Sequence, residues 1–241
     1  LKRNMDYISR KYKAEKFIAY FQNYTNTYMD TEKFKNYINE AIVDNVVEIA
    51  ISTRPDCISD EKLIFLKEIH NKHNVNITIE LGLQTVNYHT LMSINRGHTL
   101  AEFIDAVLRI KRYDFEICTH IILNLPGDTV LDTVETAKIL SVLGVDQVKI
   151  HSLYIMDNTE MGRLYKNNEI TVISKDEYVE RVVVFLEHLN KDIVVQRLTG
   201  RAPKENSLFV NWGMSWWRLK DEIVNKMESE RRYQGSKNKF I

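Results

Sequence analysis

One local pattern, repeated along the chain, limits what it can fold into: a short apolar run, then a polar or glycine turn, then a capped helix. Phe17 to Phe21 is the first run; the polar cluster Gln22 to Thr27 follows, and Asp30 is placed to cap a helix. Val46 to Ile51 is the second, with the turn Ser52-Thr-Arg-Pro-Asp56 and a helix capped at Ser59 behind it. Asn76 to Leu81 ends in Gly82-Leu-Gln84, and Thr99 with Glu102 makes a capping box for a helix running to about Arg112. Glu116 to Leu123 meets Pro126-Gly127 and a helix that starts near Thr129 or Asp132. Gln147 to Leu153 leads to an amphipathic stretch from Lys175 to Leu189, capped by Ser174 with Glu177, and Ile193 to Gln196 is a sixth strand. Strand starts spaced roughly 30 to 45 residues apart match one βα unit, which predicts an α/β fold whose parallel sheet curls into a barrel. Six strands fall short of eight, so the barrel is partial, of (β/α)6 type. An open doubly wound sheet is the competitor, and the lack of any Gly-x-Gly-x-x-Gly after a strand counts against its dinucleotide-binding form.

The chain of 241 residues balances 33 Lys+Arg against 33 Asp+Glu, so no global field steers it toward nucleic acid or an anionic surface. Its two cysteines lack metal-like spacing, no apolar run reaches membrane-spanning length and no leader-like start is visible; the expectation is a cytoplasmic protein with no membrane partner. Leu1 rather than Met opens a Lys-, Arg- and Tyr-rich stretch, which suggests a fragment whose first βα unit is missing. Residues 1–198 are expected to form the barrel and 199–241 an extension packing on it. Within that extension Leu208 to Trp217 precedes a charged helix to about Arg232, and the end from Gln234 to Ile241 reads as frayed.

In a parallel barrel the C-terminal ends of the strands face the active site, so polar residues there are the candidates for chemistry. They are Gln22 to Thr27, Ser52 to Arg54, Glu80 with Gln84, His120 with Asn124, and His151 with Tyr154. Glu80 lies between Ile79 and Leu81, and an inward carboxylate needs a partner, which favours a functional role. A lone strand histidine such as His120 is more often a satisfied core group, and Arg54 is nearly as well read as a surface arginine. Gly82 and Gly127 follow strands, where a turn of positive φ and close approach of a ligand are both compatible with glycine. Trp212, Trp216 and Trp217 can stack a base or close a barrel end. The seven histidines show no metal-ligand spacing, so no mononuclear metal site is expected.

At Glu80-Leu-Gly-Leu-Gln-Thr85, Ile94-Asn-Arg-Gly-His98 and His120-Ile-Ile-Leu-Asn-Leu-Pro-Gly-Asp-Thr129 the sequence resembles radical S-adenosylmethionine (radical SAM) enzymes. The likeness is greatest to the YhcC-like branch, related to the Elongator-type and coproporphyrinogen-type enzymes. Phe21-Gln-Asn-Tyr-Thr-Asn-Thr-Tyr28, Thr53-Arg-Pro-Asp-Cys57, Lys149-Ile-His151 and Arg197-Leu-Thr-Gly200 are similar to that branch as well, so the likeness runs from about Phe17 to about Pro203. Each motif alone is weak; their order is specific.

The resemblance implies a partial (β/α)6 barrel and reductive cleavage of SAM at a [4Fe–4S] cluster. The products would be methionine and a 5′-deoxyadenosyl radical that abstracts hydrogen from an unknown substrate, with electrons from a donor. It implies that Tyr24, Thr25 and Asn26 lie where relatives receive the methionine amino group, although the usual glycines are absent, and that Ser52 and Arg54 form the turn after the next strand. Gln84 and Arg96 would bond the ribose and the SAM carboxylate. His120 stands where many relatives carry a ribose-binding carboxylate, and Ser152 and Leu153 match the backbone segment that holds adenine. Substrate would enter near Glu80, Arg54, His151 and Tyr154. The family's Cys-x3-Cys-x2-Cys triad is missing here, and Cys57 cannot replace it, since one thiolate is not a cluster site. The expectation is that the cluster segment precedes this one. The alternative is a barrel without catalysis that serves as a binding or scaffold module, with RNA as its candidate partner because some relatives modify tRNA. Balanced charge counts against RNA, and the one basic run, Arg231, Arg232, Lys237 and Lys239, is diluted by acidic neighbours. An ordinary barrel lyase or hydrolase lacks a visible nucleophile–base pair.

Overall fold

The computed structural model describes residues 1–201, 203 and 205–239. In chain order its elements begin with α1 (Lys2–Tyr12), β1 (Phe17–Phe21), α2 (Thr31–Ala41), β2 (Val46–Thr53), a 3-10 turn (Pro55–Cys57), α3 (Asp60–His73) and β3 (Asn76–Gln84). There follow α4 (Tyr88–Ser93), α5 (Leu100–Lys111), β4 (Glu116–Ile122), α6 (Val130–Leu143), β5 (Gln147–His151), β6 (Tyr154–Met156), α7 (Glu160–Lys166) and α8 (Lys175–His188). The chain then runs through β7 (Val194–Arg197), β8 (Ser207–Val210), a second 3-10 turn (Asn211–Gly213) and α9 (Trp216–Ser229). One sheet has the order β1-β2-β3-β4-β5-β7, with β1 to β2, β2 to β3 and β5 to β7 in parallel register. β6 leaves that series and pairs antiparallel with β8.

The chain divides into two compact units, Leu1–Gly82 with Ala101–Cys118, and Leu83–Leu100 with Thr119–Ile241. In the first, strand alternation separates two chemistries. Ile49 and Ile51 of β2 and Ile77 and Ile79 of β3 are buried, as are Leu63 and Leu66 of α3 and Phe103, Val107 and Ile110 of α5. Each such side chain contributes about 1.5–3 kcal/mol relative to exposure. The alternate positions are Ser52 on β2 and, on β3, Thr78 and Glu80; Thr78 and Glu80 are buried too, so the middle of this sheet is covered on both faces. Helix starts are fixed by side-chain caps: Asp30 accepts from the N–H groups of Glu32 and Lys33, and Ser59 from that of Lys62.

The second unit repeats the scheme. Val148 and Ile150 of β5 are buried with Ala137 and Leu140 of α6 and Val182 and Phe185 of α8, whereas Lys149 and His151 take the alternate positions. Thr129 and Asp132 form a reciprocal capping box, and the Ser174 side chain accepts from Glu177 N–H. α9 joins α8 through Leu219 and Ile223, both buried, and through Lys175–Glu222 at 2.6 Å and Lys226–Glu180 at 3.1 Å.

Three features differ from the sequence expectation. The Lys/Arg/Tyr-rich start is helix α1, which buries none of its residues. The β3 ladder runs through Gly82, and the left-handed residue that ends it is Gln84, at φ 69°. The end is not frayed over 234–238: Gln234 donates to the carbonyls of Asn190 and Ile193 at 2.8 Å, and Lys237 N–H to Glu187 O at 2.8 Å. Phe240 and Ile241 lie outside the described residues. No helix among the described residues is long and apolar enough to cross a membrane.

Candidate functional site

In the first unit the polar side chains gather on Glu80, which is 3% exposed. Tyr20 Oη donates to Glu80 Oε2 at 2.7 Å and Ser52 Oγ to the same oxygen at 3.2 Å, with Ser52 Oγ 3.3 Å from Tyr20 Oη. Register builds this contact. Ser52 is the direct partner of Glu80 on β2, and Tyr20 is paired with Ala50 two residues earlier on that strand. A buried carboxylate needs such donors, because desolvation otherwise outweighs anything the charge gains. Tyr20 is the functional-looking residue that sequence reading passed over; its alternation with buried Ala19 was the available signal.

The turn after β1 is tied down by Asn26. Its side-chain amide donates to Phe21 O at 2.8 Å and to Ser52 O at 3.0 Å, and its backbone N–H reaches Ser52 O at 3.3 Å. Thr25 O accepts from Tyr28 N–H at 2.9 Å. Tyr24 sits at the tip, left-handed at φ 63° and 96% exposed. Arg54 makes a two-pronged pair with Asp56, Nε to Oδ1 at 2.9 Å and Nη2 to Oδ2 at 2.5 Å. The hydrogen bond to Asp56 raises the Arg54 pKa; burial pushes the Asp56 carboxyl up, but the guanidinium outweighs it and holds that carboxyl below its ordinary value.

In the second unit His151 is the hub. His151 Nε2 and His120 Nδ1 are 3.1 Å apart, and the rings stack at 5.1 Å between centroids and 30° between planes. Arg197 Nη2 lies 2.7 Å from Nε2 and 3.0 Å from Nδ1 of the same imidazole. The guanidinium nitrogen is close to both ring nitrogens at once, so it lies against the imidazole rather than along one lone pair. One strand-end over, Asn124 is 1% exposed and its Oδ1 accepts from Leu153 N–H at 2.7 Å. Asn124 Nδ2 is a buried donor without a partner among the described residues. Ser152 Oγ donates to Asn211 Oδ1. Tyr154 is half-exposed on β6, opposite Val210 of β8, and so belongs to the small antiparallel sheet.

Gln84 closes β3 at its left-handed bend, and Arg96 follows α4 with its N–H donating to Leu91 O at 2.9 Å. Between these positions Thr85 and Thr90 bond Asp128, whose carboxyl burial pushes up in pKa. Gly127, at φ 94°, carries no Cβ, and one placed there would meet Thr90 Oγ1 at 3.3 Å, so glycine serves both the bend and the close approach. The structure thus brings together Glu80 with Ser52, His120 with His151, and Asn124 with Leu153. It commits Arg54 to Asp56 and Asn26 to the backbone.

An iron–sulfur cluster is held by cysteine thiolates. The chain offers Cys57, half-buried in the 3-10 turn, and Cys118, buried on β4, so its own residues do not fit a [4Fe–4S] cluster. The fit to a nucleoside ligand is different in kind: the second unit carries polar groups at adjoining strand ends, His120, Asn124 and His151, whose chemistry can hydrogen-bond such a ligand.

Residues 1–140 match the Radical SAM superfamily, and residues 145–229 match the Radical_SAM C-terminal domain. YtqA of Bacillus subtilis (strain 168) is 34% identical over 226 residues, which is 93% of this chain and 70% of that protein. YhcC of Escherichia coli (strain K12) is 28% identical over 225 residues, 93% of this chain and 72% of that one. Among solved structures, Elp3 of the archaeon Methanocaldococcus infernus, with residues 1–46 deleted, superposes with a TM-score of 0.78 at 18% identity. It covers 96% of this chain and 59% of that one. The fold is therefore α/β, a parallel-stranded partial barrel of TIM type. The chain belongs to the radical SAM superfamily. Within it, the similarity to YtqA and YhcC is consistent with the YhcC-like family.

Proposed function

We propose that the protein is a radical SAM enzyme, in which SAM bound at a [4Fe–4S] cluster is cleaved reductively to a 5′-deoxyadenosyl radical that acts on a substrate. The cluster thiolates are not residues of this chain, and what its residues do is bind and orient. In this reading residues 1–198 are the barrel and 199–241 an extension packing on it, an electron donor is a partner, and the protein works in the cytoplasm. The observation that carries the reading is the hydrogen-bonded row of strand-end groups in the second unit, His120 with His151 and Asn124 with Leu153, beside a buried amide donor left without a partner.

Arg96 is assigned to the SAM carboxylate through a charge-assisted bond, and Gln84 to the ribose. His120 takes a ribose hydroxyl, held in place by His151, and the Ser152–Leu153 backbone takes adenine. Because Leu153 N–H already donates to Asn124, the backbone offers adenine a carbonyl rather than that N–H. Tyr24, Thr25 and Asn26 line the methionine amino end, with Asn26 acting by shaping the turn. Glu80, with Ser52 beside it, is assigned to the substrate side as an acceptor for a donor group, and Arg54, His151 and Tyr154 are the other residues assigned to substrate.

Titration calorimetry of SAM into the intact, cluster-loaded protein tests this. Arg96→Ala and Gln84→Ala are each expected to weaken binding about tenfold, roughly 1.4 kcal/mol. Unchanged affinity in both ends the assignment. A second reading, a barrel that binds without catalysis, is favoured by the count of two thiols. Iron and sulfide in the intact protein decide between them: their presence supports the enzyme, their absence the binding module.

A further inference from the structure

The chain segment after β8 builds a second polar and aromatic site that the SAM reading does not use. A cavity of about 870 Å³ is lined by residues 207–217 with Arg201 and Pro203, a size that suits a small organic ligand. Three tryptophans and Phe209 line it, and none of its described lining residues is acidic. Trp212 is committed to the fold: its Nε1–H donates to Ile173 O at 2.9 Å, and its ring packs on Tyr178 at 5.1 Å. Trp216 and Trp217 are not, being 37% and 50% exposed.

Each exposed indole carries a guanidinium on its face. Arg201 Cζ is 5.7 Å from the Trp216 ring centroid and Arg218 Cζ 5.4 Å from that of Trp217. Three other arginines pair with carboxylates: Arg109 with Asp60 and Asp105, Arg163 with Glu160 and Glu169, and Arg232 with Glu180 and Glu187. Among the described residues Arg201 and Arg218 have no carboxylate partner. The acids next along α9, Asp221 and Glu222, are engaged by Lys220 and Lys175. Indoles in the cavity wall beside a guanidinium without a carboxylate partner are complementary to a planar ring that bears negative charge.

The wall is held in a conformation that has to be maintained. Asn211, Trp212 and Gly213 are successive left-handed residues, at φ 44°, 52° and 74°, and only the glycine adopts this without cost. Asn211 is pinned by Ser152 and Trp212 by Ile173 O, so the turn that shapes the cavity is over-determined by its neighbours. Ser215 Oγ, also on the wall, is buried without a partner among the described residues.

We propose that this cavity binds a nucleotide, with the base stacked on Trp216 and Trp217 and the phosphate held by Arg201. The nucleotide is either free or one unit of a single strand, and SAM, which has no phosphate, is not its ligand. The site is independent of the SAM assignment and survives its failure.

Calorimetry with AMP and UMP, and anisotropy of a labelled single-stranded RNA of about eight nucleotides, test it on the intact protein. Saturable binding is expected in at least one arm; mononucleotide binding identifies a free ligand, and binding of the strand alone identifies RNA. Trp216→Ala and Trp217→Ala are expected to weaken it about 5- to 150-fold, with Trp217→Phe retaining most of it. For a strand, Arg201→Gln should lower the slope of log affinity against log salt by about 0.7. Because both tryptophans are exposed, circular dichroism of the variants should match the parent. No saturable binding in either arm overturns the proposal, as do affinity unmoved by the tryptophan variants, displacement of the nucleotide by SAM, or attachment to phosphatidylglycerol vesicles without nucleotide binding.

Discussion

The two units answer the same problem, polar groups at the ends of parallel strands, with opposite charge. In the first an anion is central: Glu80 receives the hydroxyls of Tyr20 and Ser52, both delivered by the strands beside it. In the second a cation is central: Arg197, paired in register with Lys149 of β5, sets its guanidinium against His151, which in turn holds His120. Tyr20, Ser52 and Glu80 are delivered by β1, β2 and β3. The imidazole site needs a residue from β7, well over a hundred residues of chain after β2, so it forms only when the late part of the chain is in place. The first arrangement therefore accepts hydrogen bonds at a fixed point, and the second keeps an imidazole as a positioning group. Removing one member from each shows how far the contrast holds.

The largest effect is expected from Asn124→Ala. The change strips the acceptor from Leu153 N–H in a fully buried place, and an unsatisfied buried group costs about 1–3 kcal/mol. Urea unfolding should show that loss, and SAM affinity should fall with it if the adenine segment is displaced. Stability unchanged within error would mean that the second unit is not held by this bond. Glu80→Gln is the matching change in the first unit. It keeps shape and one acceptor but turns charge-assisted bonds from Tyr20 and Ser52 into neutral ones, a difference of about 1 kcal/mol. Because Tyr20 is partly exposed, its hydroxyl can turn to water and the loss should stay small. A loss as large as that of Asn124→Ala would erase the distinction between a site completed by register and one completed at long range.

How much of this was legible in the sequence follows from which forces act locally. Strands and caps were, because period-two burial and side-chain caps are written in a few consecutive residues: Ile49 with Ile51, Ile77 with Ile79, Asp30, Ser59, Thr129 and Ser174. Glu80 stood out because a carboxylate between Ile79 and Leu81 has to be satisfied. Its partner Tyr20 did not, since that pairing is set by register between strands separated by 60 residues. Arg197 on His151 was hidden for the same reason. Gly82 was read as the bend because glycine tolerates positive φ, yet backbone pairing carries the strand past it and Gln84 takes the left-handed conformation. The pairing of β6 with β8 also escaped, because three- and four-residue strands carry too little alternation to detect.

Arg54 gives the smallest expected effect and the sharpest sign. It sits at the edge of the first unit, its guanidinium spent on Asp56 with both side chains partly exposed, so Arg54→Gln should cost only about 0.2–1 kcal/mol at pH 7. Asp56 has its folded pKa depressed below the ordinary 3.8, because Arg54 outweighs the opposing effect of burial. A depressed carboxyl contributes stability that is present above its unfolded pKa and lost as pH falls through the folded one. The difference between parent and variant should therefore be full at pH 5 to 7 and vanish as the pH drops below the folded Asp56 pKa, when the carboxyl is neutral in both states. Denaturant midpoints across that range would show it. A deficit in Arg54→Gln that persists once Asp56 is protonated would mean that Arg54 is held by something other than this carboxylate. It would then stand with Glu80 in the centre of the first unit rather than at its margin.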